Sequence, residues 1–200
     1  MTENCSPNPE VINPEMKLED VRKGVNANTC EGHGRSTASG RGYNAERLVN
    51  AIFDKSGTAF RGAIDSHIDT YVPGEIGYDI EVKSCVARYQ SNTNESGRYG
   101  QFRIWKPHHD ELLYNTPYSS LESIYLFVVY SVVGGIEKEV GKLIAPAEMI
   151  DDVLDNWKLE DHVTMGEQEN RQISWHLLLK RLGVSKEQFK NEHIIDLTDE

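Results

Sequence analysis

Residues 68 to 85 read Ile-Asp-Thr-Tyr-Val-Pro-Gly-Glu-Ile-Gly-Tyr-Asp-Ile-Glu-Val-Lys-Ser-Cys, and this stretch decides the fold. His67 to Val72 reads as a strand, Pro73 to Gly77 as a turn, and Tyr78 to Cys85 as the returning strand. Successive strand residues face opposite ways, so Ile80 and Val82 share one face while Asp79, Glu81 and Lys83 share the other. Three ionisable groups on one face are unfavourable if that face is buried without partners. Pairing Val72 with Tyr78 across the turn sets Asp69 opposite Glu81, and directly opposed carboxylates repel. A divalent cation between them converts the repulsion into affinity. Mg²⁺ suits the place, because it takes oxygen ligands, keeps several waters and is held by one or two carboxylates. Lys83 falls beside the same spot, where an ammonium can orient a water and stabilise its deprotonated form for attack on a phosphodiester. An edge strand with a Lys/Glu solvent face shows the same alternation, but it has no need to oppose an acid to an acid.

Outward from this hairpin, Asn44 is placed as the N-cap of a helix whose apolar face is Leu48, Val49, Ile52 and Phe53. Downstream, Gln101 to Trp105 alternates as a strand, and Pro107 opens a helix through Leu113. Ile124 to Val133 is an apolar, β-branched strand, and Lys142 to Ala145 is a further strand. Pro146 opens a helix through Leu154. Ile173 to Leu182 is expected as a C-terminal helix ended by Gly183, followed by a short helix over Ser185 to Lys190. Helices and strands in this order specify an α/β (α+β) core, a mixed sheet flanked by helices.

An Asp at the start of a strand, a turn, then Glu-x-Lys in the next strand resembles the PD-(D/E)xK nucleases, a superfamily of restriction endonucleases, archaeal Holliday junction resolvases and repair nucleases. The resemblance spans Gly42 to Leu154 and implies a restriction endonuclease-like core. Carried over residue by residue, Asp69 and Glu81 match the metal-binding acids and Lys83 the catalytic lysine, with Asp79 an extra acid available as a further ligand. Glu46, in Tyr-Asn-Ala-Glu-Arg-Leu-Val-Asn-Ala-Ile-Phe, sits where many members carry a helical Glu, and the spacing from Gly42 to Glu46-Arg47 is similar to the resolvase-type branch. The implied activity is Mg²⁺-dependent endonuclease cleavage of DNA, with Mn²⁺ able to substitute and a homodimer as the assembly. Two departures bear on the first acid: Ile68 rather than Pro precedes Asp69, and Asp65 is a rival. Two other functions are open on the same fold, a catalytically inactive nucleic-acid-binding or protein-interaction module and an RNA-processing nuclease.

The 200 residues suit one domain with tails, divided as a flexible segment over 1–40, the nuclease core over 41–158 and a helical extension over 159–200. A net charge of −11 at first argues against a polyanionic substrate. The charge is uneven, however. Residues 35 to 61 carry five basic side chains against two acidic, and residues 83 to 106 carry five against one. A local positive stripe on an acidic protein still binds nucleic acid, with strong salt dependence. Arg35, Arg41, Arg88 and Arg98 lie in polar stretches interleaved with Tyr89 and Tyr99, as in loops where Arg grips phosphate, and Arg103 faces outward from its strand. Cys5, Cys30 and Cys85 lack the spacing of a disulfide framework or zinc site, no apolar run suffices to span a membrane, and the start lacks the pattern of a signal peptide. These features lead us to expect a soluble, cytoplasmic protein. His108-His109-Asp110-Glu111 has the composition of a metal cluster, but consecutive helical residues diverge and cannot hold one ion. Trp175, Leu178, Leu179 and Leu182 form a stripe expected to pack on the core.

Overall fold

The computed structural model describes residues 69–72, 77–89, 97–114, 121–133, 136–163, 165–192 and 194–198. Arg35, Arg41, Glu46, Asp65 and His67, and the proposed helix after Asn44, lie outside the described residues.

The hairpin forms as its spacing predicts. Strand β1 (Thr70–Val72) pairs antiparallel with β2 (Gly77–Val86), with Val72 opposite Tyr78 and Thr70 opposite Ile80. Gly77, read as part of the turn, is the first residue of β2. The expected strand over 101–105 is β3 (Gln101–Trp105), and helix α1 (Lys106–Tyr114) follows directly. Strand β4 (Leu121–Val133) lies parallel to β2, and β5 (Ile136–Pro146) returns antiparallel to β4 with a register shift after Val129. Helix α2 (Ala147–Val153) starts at Pro146, whose fixed φ suits the entry to a helix. The central sheet runs β1-β2-β4-β5-β8, its far edge being the short parallel strand β8 (Ile194–Asp196). Parallel and antiparallel neighbours alternate across it, giving the mixed α+β core expected from the sequence.

The segment beyond residue 158 differs from its expectation as a helical extension. It contributes a second hairpin, β6 (Lys158–His162) and β7 (Gly166–Ser174), and β7 pairs antiparallel with β3 in a separate three-stranded sheet. Ile173, assigned to the C-terminal helix, is instead paired with Phe102 in that sheet. Helix α3 (Trp175–Arg181) begins only after Ser174, whose hydroxyl accepts from the Leu177 N–H as an N-cap. It ends as a Schellman motif. Val184 N donates to Leu179 O at 2.9 Å and Gly183 N to Lys180 O at 3.3 Å, and Gly183 takes the φ of 73° that closes the turn. Helix α4 (Lys186–Glu192) follows.

One face of the central sheet holds Tyr125, Phe127, Val129, Leu143 and Ala145. On it pack Phe102 and Ile104 of β3, Leu112 of α1, Ala147 and Ile150 of α2, Trp175, Leu178 and Leu179 of α3 and Phe189 of α4. The Trp175, Leu178, Leu179 stripe therefore packs on the core as expected. Glu81 is the parallel neighbour of Tyr125, and Lys83 of Phe127. The charged face of β2 is thus the edge of this packed layer, where α1 crosses it. Ile80, Val82, Ile124, Leu126 and Val128, on the opposite face, are buried as well.

Candidate active site

The pairing ends with Thr70 opposite Ile80, and Asp69 and Glu81 are the next residues along the chain from that pair. Asp69 Oδ2 accepts from the Val82 N–H at 2.7 Å, which ties the carboxylate to β2 where β1 begins. Tyr125 stands beside Glu81 on β4, and its hydroxyl is raised well above the usual phenol value by burial, then by the charges of Glu81 and Asp69. Both carboxylates therefore act on one hydroxyl.

Glu81 is 1% exposed. Its Oε1 contacts Lys83 Nζ and lies 3.6 Å from His108 Nδ1. Burial pushes the carboxyl up, but the charge of Lys83 and hydrogen bonds from His108 and Lys83 outweigh it and hold Glu81 below its ordinary value. It is an ionised carboxylate in a buried place, and its second oxygen, Oε2, has no hydrogen-bond partner among the described residues. Such an oxygen costs free energy unless something positive meets it.

Asp79 presents the same anomaly two residues earlier. It is buried, its Oδ2 has no hydrogen-bond partner among the described residues, and burial followed by the nearby charge of Glu111 raises its pKa from 3.8 to about 6. For an acid raised in this way, folding carries no electrostatic cost below the ordinary value. The cost grows as pH rises from about 4 to about 6 and is complete above that. Asp79→Asn is therefore expected to stabilise the metal-free fold at pH 8 by up to about 3 kcal/mol and to leave it unchanged near pH 4. Urea unfolding in EDTA at the two pH values measures this, and a gain of equal size at both would refute the cause given.

Helix α1 supplies what the sequence did not reveal. His108 faces Glu81 and Glu111 acts on Asp79; the two are three residues apart and so share one side of the helix. His109 turns elsewhere. Its Nδ1 lies 2.9 Å from the Tyr125 hydroxyl and its Nε2 3.1 Å from Asp151 Oδ1. A carboxylate only accepts, so Nε2 carries the proton and the Tyr125 hydroxyl donates to Nδ1. Burial lowers the His109 pKa against the pull of Asp151, keeping the ring neutral at neutral pH. Asp110 pairs with Lys106 at 2.8 Å. The four consecutive residues thus point to separate partners, as helical geometry requires, and only His108 and Glu111 reach the acids of β2. Their three-residue spacing after Pro107 was the available signal.

The donor set suits a hard cation. Among the described residues no three His, Cys, Asp or Glu side chains converge as a ready cage. Two opposed carboxylates, one with an unmet buried oxygen, are nevertheless the complement Mg²⁺ takes, with waters completing its shell. All-oxygen ligands also accommodate Mn²⁺.

Of the expected basic residues, Arg88, Arg98 and Arg103 are among the described ones. Arg103 pairs with Glu160 at 3.3 Å in the second sheet, the surface ion-pair arrangement. Arg88 and Arg98 are exposed just beyond β2. Among the described residues no helix is long and apolar enough to cross a membrane. A family model described as the PD-(D/E)XK nuclease superfamily domain matches residues 33–180. No curated protein matches the chain.

Proposed function

The chain belongs to the PD-(D/E)XK nuclease superfamily, and from that premise we propose that it is an Mg²⁺-dependent endonuclease hydrolysing phosphodiester bonds in DNA. The observation that carries the proposal is Glu81: buried, ionised, held at one oxygen by Lys83, unmet at the other among the described residues, with the Asp69 carboxylate tied to the next residue, Val82.

In this mechanism Asp69 and Glu81 would hold the cation, with Asp79 available as a further ligand and Glu46, outside the described residues, proposed to contribute as the resemblance implies. When bound, Mg²⁺ offsets charge developing on the phosphate oxygens. The Val82 N–H fixes the Asp69 carboxylate. Glu81 holds the Lys83 amine in place, so Lys83 orients the attacking water and stabilises the hydroxide that forms as the water's proton leaves to solvent. The water oxygen forms a new bond to phosphorus while the bond to one sugar oxygen breaks, and that oxygen leaves with a proton. Arg35, Arg41, Arg88, Arg98 and Arg103 are proposed contacts to the backbone of the nucleic acid, a homodimer is the proposed assembly, and the cytoplasm the proposed site of action.

The test is a substrate panel of supercoiled plasmid, linear duplex, four-way junction and matched RNA, each with Mg²⁺, Mn²⁺ or EDTA. Divalent-dependent cutting of DNA is expected, and the junction arm decides between resolvase-like and restriction-like action. Cutting of RNA alone would replace the DNA proposal, and cutting undiminished in EDTA would end the two-acid mechanism.

A further inference from the structure

A second group of charges gathers just beyond the C-terminal end of β2, around Tyr99. The Tyr99 hydroxyl accepts from Arg88 Nη2 at 3.2 Å and from Lys186 Nζ of α4 at 3.1 Å. The Arg88 guanidinium lies 4.4 Å from the centre of the Tyr99 ring, and its Nη1 donates to Gly97 O at 2.8 Å. His176 of α3 stacks on the same tyrosine at 4.9 Å. The hydrogen bond from Lys186, with the charges of Lys186, Arg88 and Lys190, pulls the Tyr99 hydroxyl below the usual phenol value, and Lys190 lies one turn along α4 from Lys186 on the same side of the helix. Arg98 stands beside it, 5.4 Å from the ring of exposed Tyr89.

These cations, like Lys138, Lys158 and Lys180, differ from the cations that are paired with acids among the described residues. Arg171 and Arg181 close on Asp155, Lys106 on Asp110, Arg103 on Glu160 and Lys142 on Glu139. Arg88, Arg98, Lys186 and Lys190 have no carboxylate at ion-pair distance among the described residues, in a chain whose net charge is −11. Holding a guanidinium and an ammonium on one hydroxyl sets like charges close together, and an anion joining them would offset the repulsion. The cluster is also rigidly built. Phe189 anchors α4 in the core, the Schellman turn fixes α4 relative to α3, and Trp175 Nε1 donates to Ala87 O at 2.8 Å beside Arg88.

We propose that Arg88, Arg98, Lys186 and Lys190 form a clamp for the phosphodiester backbone of DNA, separate from the cleavage centre, with Tyr99 as its positioning residue. The inference rests on the reading of the chain as acting on DNA and extends it to α4, which lies beyond residue 180, where the family match ends. Arg88 is five residues along from Lys83, about 16 Å at the rise of an extended strand, or about five phosphate steps on one DNA strand. Arg88 and His176 occupy the Tyr99 ring, so the clamp reads charge and not bases.

The test is fluorescence anisotropy of the full chain with a labelled duplex of arbitrary sequence, in EDTA, across a series of KCl concentrations. Each lost phosphate contact lowers the slope of log K against log salt by about 0.9. Combined Arg88→Gln and Lys186→Gln is expected to reduce the slope by about 2 and affinity at low salt by about tenfold or more. Arg98→Gln, exposed and without a hydrogen bond of its own among the described residues, is expected to reduce the slope by about 1 with folding untouched. Lys138→Gln, exposed on β5 outside the cluster, should leave it unchanged. Unchanged slopes in the cluster variants, an equal fall in Lys138→Gln, or no binding by the parent chain would overturn the clamp. Because binding is read in EDTA, a chain that binds through these residues yet cuts nothing fails the nuclease proposal alone. One that cuts but binds indifferently to them fails the clamp alone.

Discussion

Lys83→Ala is expected to lower divalent-dependent cleavage by about a thousandfold or more and, in EDTA, to destabilise the fold by about 3–5 kcal/mol. The two effects have one origin. Lys83 lies against Glu81, a carboxylate 1% exposed and held in its charged form chiefly by that ammonium. Removing the amine takes away the group that stabilises the attacking hydroxide. It also leaves a buried negative charge with only His108, 3.6 Å away, to answer it among the described residues. Glu81→Gln separates the effects. It should abolish cleavage equally, since the carboxylate facing Asp69 is gone, but it removes the charge as well and should cost little stability. In the double variant the stability loss of Lys83→Ala should largely disappear, the coupling expected of a buried pair. Single-turnover cleavage with Mg²⁺ and urea unfolding in EDTA measure the two quantities. Lys83→Ala cutting at the parental rate would remove the lysine from the mechanism, and equal stability in the two single variants would show that the pair is not coupled.

That pair was legible because a hairpin is arithmetic. Once Val72 is set against Tyr78, the period of two brings Asp69 toward Glu81 and puts Lys83 on the same face, and the structure has Val72 opposite Tyr78 and Thr70 opposite Ile80. The long apolar strand β4 and the helices opened by Pro107 and Pro146 were legible for the same reason, a strong local signal agreeing with its surroundings, whereas only Lys142 to Ala145 of β5 was read, its charged first half giving no apolar run. The β6–β7 hairpin was not. Lys158 to His162 and Gly166 to Asn170 are polar on both faces and mostly exposed, so no alternation of apolar residues announces them. Their pairing is supplied by β3. Ile173 shows the limit most clearly. Its apolar side chain suits either a helical stripe or a strand, and its partner Phe102, far away in the chain, decides for the strand. His108 was hidden differently, since four polar residues in a row give no clue to which one the helix turns toward β2. The cations of α4 belonged to an acidic stretch, and their kinship with Arg88 is visible only once Tyr99 has joined them.

Phe189→Ala is the substitution expected to do the most damage away from the acids, costing about 3–5 kcal/mol of stability. The helix it belongs to is two turns long and otherwise polar, so its own backbone hydrogen bonds do not sustain it. Phe189 is 1% exposed, its ring is 5.8 Å from that of Trp175, and it lies over Gly141 of β5, where a Cβ would stand only 2.8 Å from ring atom Cε1. The glycine on the sheet and the phenyl on the helix are complementary, and losing the phenyl leaves a cavity that neither a glycine nor a rigid indole can fill. The same loss should be felt at the surface, because Lys186 and Lys190 flank Phe189 in α4 and depend on it to stay beside Tyr99. A Phe189→Leu variant, keeping most of the apolar volume, should recover more than half of the stability and of the salt dependence of DNA binding together. If binding keeps its full salt slope in Phe189→Ala at a temperature where the chain remains folded, α4 is not the element that holds those lysines in place.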